Sequence, residues 1–175
     1  MPLISIMVNR MNLEEIEKEV GELLLRKKLT VSVAESCTGG LISSKLTDVP
    51  GSSAYITLNV VTYANEAKVK VLGVSEELLK KHGAVSEPVA KAMAEGIRRL
   101  TGSDIGLGTT GIAGPTGGTP EKPVGLVYIG IADKNGTVVH KVNINPDLPR
   151  TEIKAAASNH ALALLLDKIK AFVHK

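Results

Sequence analysis

Aromatic residues are almost missing from this 175-residue chain, which has one Phe, three Tyr and no Trp. A core built from it must be aliphatic, and single-stranded nucleic acid would find no platform on which to stack its bases. Cysteine is limited to Cys37, which rules out an internal disulfide. The four histidines stand far apart, at 82, 140, 160 and 174, so no Cys or His pair has metal-site spacing. The formal charge is only +3, and Lys27-Lys28, Lys80-Lys81 and Arg98-Arg99 each lie close to acidic residues, leaving no basic stripe for nucleic acid. Met1–Val8 is apolar but too short to span a bilayer, and it carries neither the leading positive charge nor the cleavage site of a signal peptide. Residues 1–11 are therefore expected to form a loose arm or short extra strand, and the expected compartment is a reducing cytoplasm with no membrane partner.

What is present suffices for a single domain with one sizeable core. Asn12 is the expected N-cap of a helix through about Lys28, with Leu13, Ile16, Val20, Leu23 and Leu24 on one face and Glu14 and Glu15 in the first turn. A strand at Thr30–Ala34 and a helix from about Thr38 to Leu46 follow, then a turn at Val49–Ser53 and a strand in the second half of Ala54–Tyr63. Asn65–Leu72, Ser75–Gly83 and Ser86–Leu100 read as three helices, the last with a proline in its first turn. Ile105–Thr110 is the next strand, and the glycine- and proline-rich run 111–123 suits neither helix nor strand. Val124–Ala132 and Thr137–Asn145 form a pair joined by Asp133-Lys134-Asn135-Gly136, whose Asn-Gly signals a hairpin. A last helix runs from about Arg150 to Val173, burying Ile153, Ala157, Leu162, Leu165, Leu166 and Ile169. Helices interleaved with strands predict an α/β fold, a three-layer α/β/α sandwich whose late hairpin makes the sheet mixed.

Leu29–Gly40 reads LTVSVAESCTGG, a strand feeding a tight turn and a helix. Such a junction presents Ser36, Cys37 and Thr38 at a helix N-terminus, where free N–H groups favour an anion or oxyanion. The bland alternative is an ordinary N-cap, with Gly39-Gly40 there for close packing. A serine hydroxyl needs a base to become a nucleophile, and the histidines supply none: His82 ends a helix and His140 lies in a strand. Further on, TGIAGPTGG (Thr110–Gly118) joins a strand end to glycines able to present N–H groups to a phosphate or oxyanion, though it is neither a P-loop nor a dinucleotide fingerprint.

AESCTGG, NVVTYANEAKV (Asn59–Val69) and TTGIAGPTGGTPEKPVGLVYI (Thr109–Ile129), in this order, resemble the CinA C-terminal domain family, and the likeness covers roughly Leu13 to Leu166. The activity it implies is deamidation of nicotinamide mononucleotide (NMN) to nicotinic acid mononucleotide and ammonia, in pyridine nucleotide salvage, with no metal or cofactor. It makes Ser36 the nucleophile and Lys68 its base, where the residue alone could equally be a solvated helix lysine. It places Tyr63 beside them to orient Lys68 or bond the substrate, and Thr110, Gly111, Arg150, Thr38 and Gly39 are the expected substrate-binding residues, the last two in the nucleophile turn. The structural alternatives are that Tyr63 caps its strand end and that Arg150 makes a surface salt bridge. The chain departs from the family pattern at Leu58-Asn59, commonly Gly-Gly, and at Leu148-Pro149, commonly Gly-Asp. Two other readings stay open: Cys37 as nucleophile, and a non-catalytic nucleotide-binding module that regulates partners. A homo-oligomer is expected, because the resembled family forms them and the last helix is apolar on more than one side.

Overall fold

Val31 and Val33 alternate with Ser32 and Ala34 along β1 (Val31–Glu35), whose five residues are all buried. In the computed structural model, which describes residues 15–174, β1 lies between β2 (Ile56–Val61) and β3 (Ile105–Gly111) and pairs parallel with both. β3 pairs antiparallel with β4 (Leu126–Asp133), and β4 with β5 (Gly136–Asn143), giving one mixed sheet in the order β2-β1-β3-β4-β5. The expected hairpin is there, tightened: Asp133 pairs with Gly136, so Lys134 and Asn135 alone form the loop. The Asn135 N–H donates to Asp133 Oδ1 at 2.8 Å, which holds that turn.

Helices cover both faces. α1 (Ile16–Lys27), α2 (Leu41–Thr47) and α6 (Arg150–Ala171) pack with Val31, Val33, Ile105, Leu107 and Ile129 into one aliphatic cluster. On the other face, α3 (Asn65–Leu72), α4 (Glu76–His82) and α5 (Glu87–Thr101) enclose Ala34, Leu72, Val74, Val89, Met93 and Ile97. This is the three-layer α/β/α sandwich that the sequence predicts. Among the described residues, Tyr55 is the one aromatic ring fully inside, its hydroxyl donating to Leu46 O at 2.7 Å. Ala161 to Leu166 are all buried within this chain, so the apolarity of α6 is absorbed by its own domain.

Boundaries are corrected in the hairpin, whose strands run Leu126–Asp133 and Gly136–Asn143 instead of starting at Val124 and ending at Asn145, and in two helices. The second helix starts at Leu41, three residues later than the sequence suggests, because Gly39 (φ +63°) and Gly40 (φ +99°) complete a left-handed turn first. The last helix stops at Ala171. The N-cap at Asn12, Leu13, Glu14 and the arm 1–11 lie outside the described residues.

Connectivity decides where a ligand can sit. The β1–β2 connection runs through α2 on one face, while the β2–β3 connection runs through α3, α4 and α5 on the other. The carboxyl end of β1 therefore lies where the two connections diverge, the position at which open α/β sheets bind ligands. The close seat of α5 depends on glycine: a Cβ at Gly108 would lie 2.7 Å from Ala94 N, and one at Gly130 would lie 2.6 Å from Ala90 O. Gly108→Ala should therefore destabilise the fold by about 1–3 kcal/mol, lowering the thermal midpoint by about 2–12 °C. An unchanged midpoint would show that α5 does not rest on the sheet in this way.

Candidate functional site

Ser36 follows the last residue of β1 and is 8% exposed. The turn it opens is closed by the Gly39 N–H, which donates to Ser36 O at 3.0 Å. Among the described residues, the N–H groups of Cys37 and Thr38 donate to no backbone carbonyl. The first turn of α2 is different. Glu35, fully buried, accepts from the Ile42 N–H at 3.0 Å through one carboxylate oxygen, and from the Ser43 N–H (3.0 Å) and hydroxyl through the other. The helix terminus that the sequence offered to an anion is thus already occupied by the chain's own carboxylate. Any oxyanion must be met by the turn itself.

Lys68 lies on the first turn of α3 and is 1% exposed. Its ammonium donates to Ser36 Oγ at 3.1 Å, Thr62 O at 2.8 Å and Tyr63 O at 3.0 Å. Burial holds this amine below the ordinary lysine value, opposed by the weaker influence of the Cys37 thiolate form. No carboxylate forms an ion pair with it among the described residues. A neutral amine has two N–H donors and one lone pair. With the two carbonyls taking the donors, the lone pair is left facing the Ser36 hydroxyl.

Cys37, beside it, points the other way. Its side chain belongs to the aliphatic core, and burial pushes its thiol up to about 11. The thiolate is the nucleophilic form, and of the two neighbours it is Ser36 whose side chain meets the lysine amine.

The remaining expected site residues surround this pair in unequal ways. Tyr63 is largely exposed; its carbonyl, rather than its hydroxyl, holds Lys68, and the hydroxyl accepts from Arg150 Nη2 at 2.8 Å. Arg150, the first residue of α6, also donates through Nη1 to Gly114 O at 2.6 Å, tying the β2–α3 and β3–β4 connections together. Thr38 is fully buried, bonded to Thr109 Oγ1 at 3.1 Å, and so supports the turn from beneath. The Thr110 hydroxyl donates to Ala84 O at 2.8 Å, fixing the 83–86 loop beside the site. Gly111 is glycine for packing: a Cβ there would lie 2.7 Å from Leu126 O. Among the described residues, no three His, Cys, Asp or Glu side chains are grouped to hold a metal ion, and no helix is long and apolar enough to cross a membrane.

The model of the CinA C-terminal domain matches residues 13–169. The chain belongs to the CinA C-terminal domain family. A CinA-like protein of Syntrophus aciditrophicus is 52% identical over 152 residues, covering 87% of this chain and 36% of that protein. One from Desulforapulum autotrophicum is 62% identical over 117 residues, covering 67% and 28%. The chain thus spans about a third of the length of the curated relatives it matches. Among solved structures, the competence/damage inducible protein CihA from Agrobacterium tumefaciens superposes with a TM-score of 0.86 at 42% identity, over 90% of this chain and 95% of that one. The competence damage-inducible protein A from Klebsiella pneumoniae gives 0.88 at 33% identity, over 93% and 100%.

In this CinA-type domain, sequence reasoning missed Glu35, whose signal was a carboxylate ending a fully buried strand beside Ser36. It also missed Thr109 and the Ala84 and Gly114 carbonyls, because backbone acceptors carry no residue signature. The contrast between the two neighbours is measurable. At pH 8 a thiol with its value near 11 is about one part in a thousand thiolate. Iodoacetamide should therefore alkylate Cys37 at least about tenfold more slowly in the folded protein than in denaturant, and equal rates would place the thiol at the surface.

Proposed function

We propose that this domain is an NMN amidohydrolase, cleaving the carboxamide to nicotinic acid mononucleotide and ammonia in pyridine nucleotide salvage. The observation that carries this reading is the contact between a buried lysine amine and Ser36 Oγ at 3.1 Å. Neutral Lys68 accepts the Ser36 proton as Oγ attacks the amide carbon. The resulting oxyanion is met by the Cys37 and Thr38 N–H groups, which lie next to the nucleophile and donate to no backbone carbonyl among the described residues. Protonated Lys68 then hands its proton to the amide nitrogen, the C–N bond breaks and ammonia leaves. Water, deprotonated by the same amine, attacks the acyl ester, and Ser36 recovers its proton. Arg150, held by Tyr63 and Gly114, is left with donors for the anionic end of the substrate.

The relatives' extra length keeps a second reading in play, a nucleotide-binding module that regulates an attached domain. Ammonia release from NMN, measured in the presence of a chelator, separates the two. The wild type should turn over, with kcat/KM rising toward alkaline pH as Lys68 loses its proton at a value held below 10.5. Ser36→Ala and Lys68→Ala should each lose about a thousandfold or more in kcat, while Cys37→Ala retains turnover. Binding of NMN without ammonia release would favour the regulatory module.

A further inference from the structure

A cation that the scheme above leaves unused overlooks the nucleophile turn. Lys154 stands one helical turn beyond Arg150 on α6 and is half-buried. Its Nζ comes within 3.3 Å, and its Cε within 3.6 Å, of the point where a Cβ on Gly39 would lie. Residues four apart share a helix face, so Arg150 and Lys154 look onto the Ser36–Gly40 turn together. The ion pairs among the described residues use Lys91, Lys168 and Lys170; neither Arg150 nor Lys154 has a carboxylate partner there. The Lys154 ammonium has no hydrogen-bond acceptor there either. Asp147 and Glu152, the carboxylates nearest in sequence, pair with neither, and Glu35 at the nucleophile turn spends both oxygens on the α2 N-terminus. Arg150 commits one N–H to Gly114 O and another to Tyr63 OH, leaving three of its five donors.

Two cations on one helix face, without carboxylate partners among the described residues, repel one another until an anion joins them. A phosphate monoester, carrying nearly two charges and three acceptor oxygens, matches a guanidinium fork beside a compact ammonium. We propose that Lys154 is a specificity-determining residue: with Arg150 it binds the phosphate of the substrate, so that the site takes a 5′-phosphorylated mononucleotide and discriminates against the unphosphorylated nucleoside. Gly39 is part of this arrangement, since any side chain there would stand between the ammonium and the turn. The proposal rests on the mononucleotide reading for the identity of the substrate, but the phosphate site can be tested apart from the amide chemistry.

Ribose 5-phosphate carries the phosphate without the amide. Its binding to the wild type, Lys154→Met and Lys154→Arg is measured by calorimetry, alongside ammonia release from NMN and from nicotinamide riboside. Loss of a charge-assisted contact should weaken ribose 5-phosphate about tenfold or more in Lys154→Met, with affinity kept within about threefold in Lys154→Arg. The KM for NMN should rise in step while kcat stays within about twofold, and kcat/KM for the riboside should not move. Lys154→Gln serves the same purpose if Lys154→Met does not fold. Unchanged affinity in the charge-removing variant, or no ribose 5-phosphate binding by the wild type, overturns the proposal whatever the fate of NMN. Lys154-dependent binding without ammonia release from NMN would instead sustain the phosphate site and remove the deamidase reading.

Discussion

A lysine amine held out of water without a carboxylate partner is the constraint on which this site turns. Solvation is what keeps an ordinary lysine charged at neutral pH; withdrawing it favours the neutral form, and a nearby carboxylate would undo the effect. Lys68 is fully buried, and its contacts are two carbonyls and one hydroxyl. The backbone builds this environment. Parallel pairing sets Glu35 opposite Val61, and the Thr62 N–H donates to Glu35 O at 2.8 Å. That brings the end of β2 level with Ser36, and α3 starts at Asn65, so that Lys68 on its first turn faces back toward the Ser36 hydroxyl.

The other parts keep charge in its place. Glu35 is one residue from Ser36, yet its carboxylate is consumed by the start of α2 instead of pairing with the amine. Two left-handed glycines separate the turn from that helix, which leaves the Cys37 and Thr38 N–H groups free of helical bonds. Arg150 draws the β2–α3 and β3–β4 connections together from the start of α6. The connections that leave β2 and β3 are thus tied to the start of α6 beside the turn that leaves β1.

Much of this was legible in the sequence, and the legible part is the part with a periodic or chemical signature. The alternation at Val31 and Val33 and the apolar face of the last helix carried the layers, and the glycine- and proline-rich run 111–123 carried the long β3–β4 connection. Asn65–Leu72 was found with its true ends, because Gly73 stops it in a left-handed conformation. The start of α2 was misjudged because Gly39-Gly40 reads equally as a helix entry or as a turn that delays it. The partners of the site residues were not legible at all. Whether the Tyr63 hydroxyl or its carbonyl meets Lys68, and whether the Thr38 hydroxyl faces the ligand or Thr109, depends on rotamers and on strands distant in sequence. Lys154 was hidden for the same reason: on α6 it is one lysine among several, and only its approach to Gly39 sets it apart.

The state of the Lys68 amine decides whether Ser36 has a base. Carbon-13 labelling at lysine Cε allows each amine to be titrated by NMR, with the Lys68 signal assigned by its loss in Lys68→Arg. The account predicts a midpoint below 10.5 and below those of the surface lysines, as burial requires. A Lys68 signal titrating together with the surface lysines would contradict it, leaving the serine without an activating partner.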